Sequence, residues 1–217
     1  MFENFKIKKQ YHCLICFKNL LEGISFQSLT FFHPYLCQQC FSQFKIANLT
    51  FSILNCSIKI LYYYNDFLKT LFFQYKGCYD IELAPIFLNY HLKQLKKEFK
   101  DYVIVYPPSN DLEVKKRKFQ HIKELAKPLC LPIYDVFYKT KDYKQSKMPF
   151  RFKKEIFSII AFKKNKDLEN KKILLIDDIF TSGNTIQACI LLLQKNISKI
   201  KDLKILCICK TEKKVEL

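Results

Sequence analysis

The chain has 217 residues, 49% of them hydrophobic, enough apolar material for one full α/β domain and a small additional module. Lysine and arginine number 37 against 20 acids, a formal charge of +17 that attracts polyanions. No apolar run reaches ~18 residues without a charge, which excludes a membrane span, and ten cysteines with no visible secretory signal argue against a disulfide framework and for a reduced, cytoplasmic setting.

The positive charge is almost all lysine, with only Arg117 and Arg151 as arginines. Lysine supplies point charges suited to phosphate backbones, whereas base edges are read by the arginine fork. The lysines run along the whole chain, so the charge fits non-specific polyanion binding and a merely solvated basic surface equally well. No internal repeat or low-complexity linker is visible.

Residues 1–48 form the first predicted module. Cys13 and Cys16, then Cys37 and Cys40, make two C-x2-C knuckles twenty residues apart. That spacing brings four thiolates to the corners of a tetrahedron, the closed geometry of structural zinc. With four sulfurs available, His12 and His33 are left as surface or supporting residues.

Residues 49–217 form the second module. Its most apolar stretch, residues 49–64, is interrupted by Asn55 and Lys59. Residues 57–64 read as a strand of β-branched and aromatic residues. Residues 65–75 read as a helix capped by Asn65 or Asp66, with Phe67, Leu68, Leu71, Phe72 and Tyr75 at core spacing and Gly77 at its C′ position. Residues 80–97 suggest a longer amphipathic helix with Leu83, Ile86, Phe87, Tyr90 and Leu95 inward. A buried strand over 101–106 stops at Pro107 and Pro108, and the loop through Ser109 and Asn110 sits where a diphosphate would fit or serves as an ordinary strand-ending turn. An amphipathic helix over 117–126 follows, then a strand over 131–138. The polar, lysine-rich residues 139–154 have the length of a segment that closes over a site. Further strands are expected over 156–162 and 203–209, the last after a helix over 184–196.

Residues 173–186 carry the most information. Four aliphatics, Ile173 to Ile176, read as a buried parallel strand. Asp177 and Asp178 follow, then Thr181, Ser182, Gly183, Asn184 and Thr185, and then a helix. Ligands of open α/β sheets bind outside the carboxyl ends of strands, and a loop of small residues entering a helix presents N–H groups to a phosphate. Two adjacent acids there can hold sugar hydroxyls or a metal ion. The chain has only three glycines, where average usage would give roughly fifteen, so Gly183 is expected where a backbone must approach a phosphate closely.

This stretch resembles the phosphoribosyl pyrophosphate (PRPP) signature of type I phosphoribosyltransferases. The resemblance implies that Asp177 and Asp178 meet the ribose hydroxyls and that Thr181, Ser182, Gly183, Asn184 and Thr185 wrap the 5′-phosphate. Taken with the four-cysteine module, the order of motifs is similar to the ComF/GntX competence proteins. Tyr75, Lys76 and Gly77 resemble that family's lysine–tyrosine–glycine region. Arg117, Phe119, Leu125 and Ala126 match its Arg-Gly-Phe-Asn-Gln helix start, with Lys118 in place of Gly and Gln120 in place of Asn. Gln145 resembles the glutamine of its flexible loop, and Lys153 stands where an arginine is usual.

The fold this implies is α/β, a mostly parallel sheet flanked by helices, of the type I phosphoribosyltransferase kind. In that chemistry C1 of PRPP ionises as pyrophosphate leaves, with Mg²⁺ bridging the diphosphate and the ribose hydroxyls. Asp177, Asp178 and Arg117 would then be the catalytic residues, with Lys76 and the lysines of 139–154 around the leaving group. No nucleobase hood is recognisable, so turnover is left open. The resemblance implies a competence factor that handles incoming single-stranded DNA in natural transformation, with structural zinc, PRPP or another phosphorylated ribose as ligand, and DNA-uptake or replication-restart proteins as partners. The alternative is a nucleotide-salvage enzyme that makes a nucleoside monophosphate from PRPP and a base.

Overall fold

The computed structural model describes residues 12–20, 33–140 and 159–211. The chain divides into two compact units, residues 1–44 and 45–217.

In the first unit the Cys13–Cys16 knuckle is closed by two backbone bonds, Cys13 N–H to Lys18 O at 2.8 Å and Phe17 N–H to Cys13 O at 2.9 Å, with Phe17 at φ +59°. The second knuckle runs into a single helical turn, α1 (Gln38–Phe41), with Cys37 as its N-cap. Leu36, Cys40 and Phe44 are buried around it.

The second unit is built on a six-stranded sheet. Its strands are β1 (Ile46–Ile53), β2 (Cys56–Tyr64), β3 (Tyr102–Val105), β4 (Ile133–Tyr134), β7 (Lys172–Phe180) and β8 (Asp202–Thr211), in spatial order β1-β2-β8-β7-β3-β4. Only the β1–β2 hairpin is antiparallel; every other pairing is parallel. Residues β5 (Phe137–Lys139) and β6 (Ile160–Phe162) pair separately as an antiparallel ribbon. The α/β class, with a mostly parallel sheet flanked by helices, is therefore seen directly.

The helices are α2 (Asp66–Lys76), α3 (Leu92–Glu98), α4 (Asp111–Arg117), α5 (His121–Ala126) and α6 (Asn184–Asn196). One sheet face presents Ile173 and Leu175 of β7 with Leu203, Ile205 and Cys207 of β8, and α6 covers it with Ile186, Cys189, Ile190 and Leu193. Alternation along β7 turns Leu174 and Ile176 to the opposite face, where α5 packs.

Chain direction sets where a ligand would bind. From β3 the chain moves outward to β4, whereas from β7 it crosses through α6 to β8 on the other side. The carboxyl ends of the adjacent strands β3 and β7 therefore flank a switch in strand order, the position where open α/β sheets leave a crevice.

Several local expectations are corrected. The helix expected over 80–97 is broken into 3₁₀ turns at Ile81–Phe87 and Asn89–His91 before α3, because Pro85 has no N–H to continue an α-helical ladder. Leu83, Ile86, Phe87 and Leu95 are buried as expected, but Tyr90 is exposed. The helix expected over 117–126 is two, since Lys118 adopts a left-handed conformation (φ +63°) that ends α4, and Gln120 starts α5. The strand expected over 131–138 is split between β4 and β5, which pair with different partners. Gly77 does follow α2, but at φ −94° rather than in the left-handed region. Strand β1 was not foreseen; Leu54 and Asn55 join it to β2 with φ +48° and +61°, the type I′ geometry of tight hairpins. Of residues 139–154, those from 141 onward, with Gln145, Arg151 and Lys153, lie outside the described residues, as does the first part of the strand expected over 156–162.

Candidate functional site

Strand β7 is longer than its aliphatic run. Asp177 pairs with Cys207 and Phe180 with Lys210, so both acids lie inside the strand near its carboxyl end rather than after it. Alternation then sends them to opposite faces. Asp178 is buried and faces α2 and α5, accepting from Lys76 Nζ at 2.5 Å and sitting 3.1 Å from His121 Nε2. Asp177 lies on the α6 face, and its Oδ1 accepts the Asp178 N–H at 2.9 Å.

These surroundings drive the two carboxyls apart. Burial alone would raise Asp178, but the hydrogen bond from His121 and the charge of Lys76 outweigh it and hold the group below the usual carboxylate range. Asp177 goes up, through burial first and the neighbouring Asp178 charge second. His121 is lowered by burial, partly opposed by its bond to Asp178. A neutral His121 donates Nε2–H to Asp178 and leaves Nδ1 to accept, with Ser109 Oγ 3.4 Å away. The Tyr75 hydroxyl fixes the same residue by donating to the His121 carbonyl at 2.7 Å. The single Ser109 hydroxyl proton goes to the nearer Gln120 Oε1 at 2.8 Å rather than to His121 Nδ1, and joins the loop after β3 to the start of α5.

Thr181 and Ser182 are exposed, Gly183 is buried, and Asn184 and Thr185 are partly covered. Gly183 is the N-cap of α6 at φ +74° and has no side chain to cap it, while Ser182 Oγ accepts at 3.5 Å from the Asn184 N–H that opens the helix. A Cβ at Gly183 would lie 2.9 Å from Phe180 Cε2 and Cζ and 3.2 Å from Ile53 Cδ1. The fold thus demands glycine here through backbone angle and ring contact, before any phosphate arrives. The result is a helix N-terminus that follows directly on the carboxyl end of β7, the strand that carries both acids.

Arg117 is buried at the end of α4, with Nε donating to Glu113 O at 3.2 Å. It lines an open cleft of about 710 Å³ with Lys76 and Ile179. Of the residues singled out from the sequence, Lys76, Asp178 and Arg117 are thereby gathered around one end of the sheet. His121 was missed. It stands four residues after Arg117 in the stretch carrying the family resemblance, but a lone histidine in a lysine-rich helix reads as surface.

In the first unit, the Sγ atoms of Cys13, Cys16, Cys37 and Cys40 all lie within 4.8 Å of one another, with Cys16 and Cys37 at 3.6 Å. Metal–sulfur bonds of about 2.3 Å place tetrahedral sulfurs roughly 3.8 Å apart, so this cluster could hold a metal ion. Cys16 is lowered to about 7, chiefly by the backbone bond from Lys18, while burial raises Cys37 and Cys40. Among the described residues no helix is long and apolar enough to cross a membrane.

No family model matches the chain. Competence protein ComFC of Streptococcus pneumoniae is 26% identical over 216 residues, covering 88% of this chain and 96% of that protein. Competence protein ComFC of Bacillus subtilis is 28% identical over 128 residues, covering 58% and 53% respectively. Among solved structures, adenine phosphoribosyltransferase from Saccharomyces cerevisiae aligns with a TM-score of 0.37 at 16% identity, over 60% of this chain and 68% of that one. In sequence, along most of its length and with its four-cysteine cluster in place, the chain is similar to the ComF competence proteins.

Proposed function

We propose that residues 177–185 bind PRPP or a close phosphorylated ribose, and that the protein acts in the cytoplasm as a ComF-type competence factor handling incoming single-stranded DNA. One observation carries the ligand reading: the end of β7 that holds both acids leads directly into the N-terminus of α6, beside the switch in strand order between β3 and β7. The 5′-phosphate sits against residues 181–185, and the ribose hydroxyls sit against Asp177 and Asp178. Arg117 and Lys76 face the diphosphate. Lys76 is ion-paired with Asp178, so a hydroxyl that hydrogen-bonds to Asp178 shares that carboxylate with an ammonium able to face the anionic ligand. A carboxylate at this strand end suits the Mg²⁺ that accompanies a diphosphate, and the four thiols suit zinc as a structural ion. The competence role is supported by similarity to Competence protein ComFC over 88% of the chain and by the charge of +17.

Calorimetric titration with Mg²⁺–PRPP checks the ligand. Wild type is expected to bind, and Asp177→Asn/Asp178→Asn to lose at least tenfold in affinity while retaining single-stranded DNA. Equal PRPP affinity in both proteins would remove the reading. Release of pyrophosphate that depends on an added nucleobase would instead assign nucleotide salvage. Affinity for single-stranded DNA should fall steeply with salt, through counterion release.

A further inference from the structure

The 710 Å³ cleft beside α2 has an aromatic lining that the sugar-phosphate reading does not use. Three aromatic rings border it, Tyr64, Phe72 and Phe73, with three cations, Lys69, Lys76 and Arg117, against two acids, Asp66 and Glu113. Phe73 is 65% exposed, although the neighbouring Phe72 is buried. Lys76 Nζ lies 5.1 Å above the Phe72 ring, so that face is already taken.

The Phe73 ring is seated. Gly77 follows one turn later, and a Cβ there would lie 3.1 Å from Phe73 Cδ2 and Cε2 and 2.9 Å from its carbonyl oxygen. Any residue adopts φ −94°, so what glycine supplies at this position is room. In a chain with three glycines, one is placed so that a water-facing phenyl ring can lie along the backbone at the mouth of a basic cleft. Exposing such a ring is unfavourable until something covers it.

We propose that this cleft seats one nucleobase of a single-stranded polynucleotide, stacked on Phe73, with Lys69 facing a flanking phosphate. The proposal deepens the reading of single-stranded DNA as partner and rests on it. A single strand offers both π-faces and phosphates, which matches a lining that holds both rings and cations. A duplex has its base faces already stacked. An acidic peptide would satisfy the cations but leave the ring in water.

Fluorescence anisotropy of the full chain with a labelled oligo-dT tests it. Phe73→Ala is expected to weaken binding about five- to 150-fold, the loss of one stacked base. Phe73→Trp should bind like wild type, and Phe73→Leu should weaken it. Lys69→Ala should lower the slope of log affinity against log salt by about 0.7, with the slope of Phe73→Ala unchanged. An unaltered thermal melt and unaltered PRPP titration of Phe73→Ala separate this result from misfolding and from failure of the sugar-phosphate reading. Binding by Phe73→Ala within twofold of wild type overturns the proposal, as does Phe73→Leu binding like wild type. Displacement of the oligomer by a polyglutamate peptide as effectively as by unlabelled oligo-dT also overturns it, assigning the cleft to acidic peptides.

Discussion

Asp177 and Asp178 are neighbours in sequence with opposite electrostatic fates. Asp178, held low by His121 and Lys76 against its own burial, contributes stability that is present above about pH 4, the ordinary carboxylate value, and lost as pH falls towards its folded value. Asp177, raised by burial and by Asp178, behaves the other way. Its folded state prefers the proton, so stability declines as pH rises from about 4 through the raised value. Urea midpoints of wild type and Asp177→Asn at pH 5 and pH 9 test this. Wild type should lose more stability across that interval than the variant, and equal losses would contradict the assignment. At this scale the motif was legible because its chemistry is contiguous, running from Ile173 to Thr185. The Lys76–Asp178–His121 cluster was not, because it joins three residues from separate elements.

Elements were legible where one local rule dominated. Asn65 caps α2 by accepting from Leu68 N at 2.9 Å, as its position suggested, and the aliphatic run of β7 is fully buried from Ile173 to Ile176. Elements were misread where one residue broke a periodic pattern: Pro85 in the segment before α3, and Lys118 between α4 and α5. The β1–β2 hairpin escaped notice because Leu54 gives no turn signal, although Asn55 tolerates the left-handed region. Lys118 sits at φ +63°, a left-handed conformation that glycine adopts without strain. Lys118→Gly is therefore expected to stabilise the fold by about 1 kcal/mol, since a left-handed Cβ is removed, raising the thermal midpoint by roughly 2–4 °C. Gly183→Ala should do the reverse by at least as much, with φ +74° and the Phe180 ring both opposing it. Calorimetric melts of the two variants check both signs.

At the scale of the whole molecule, two units stand on different supports. Residues 45–217 have a continuous core between the sheet and its helices. Among the described residues of the first unit, Leu36 and Phe44 are buried beside four thiols within 4.8 Å of one another, a cluster that a bound ion would tie together. A zinc chelator should therefore unfold the first unit while the far-ultraviolet signal of the sheet persists, and thiol titration should release one zinc per chain. Zinc affinity should fall with acid, because binding needs thiolates and burial raises Cys37 and Cys40. Loss of the sheet on chelation would refute the separation. The α/β class could be read from the sequence, since parallel strands announce themselves as unbroken aliphatic runs. Strand order could not, because β8 slots between β2 and β7 only through long-range pairing.

That the acid pair straddles the sheet has a mechanical corollary. A sugar gripping both carboxylates would pull on the α6 layer through one hydroxyl and on the α2–α5 layer through the other. Such a guest acts as a rivet through the central plate, and its departure loosens both sides at once.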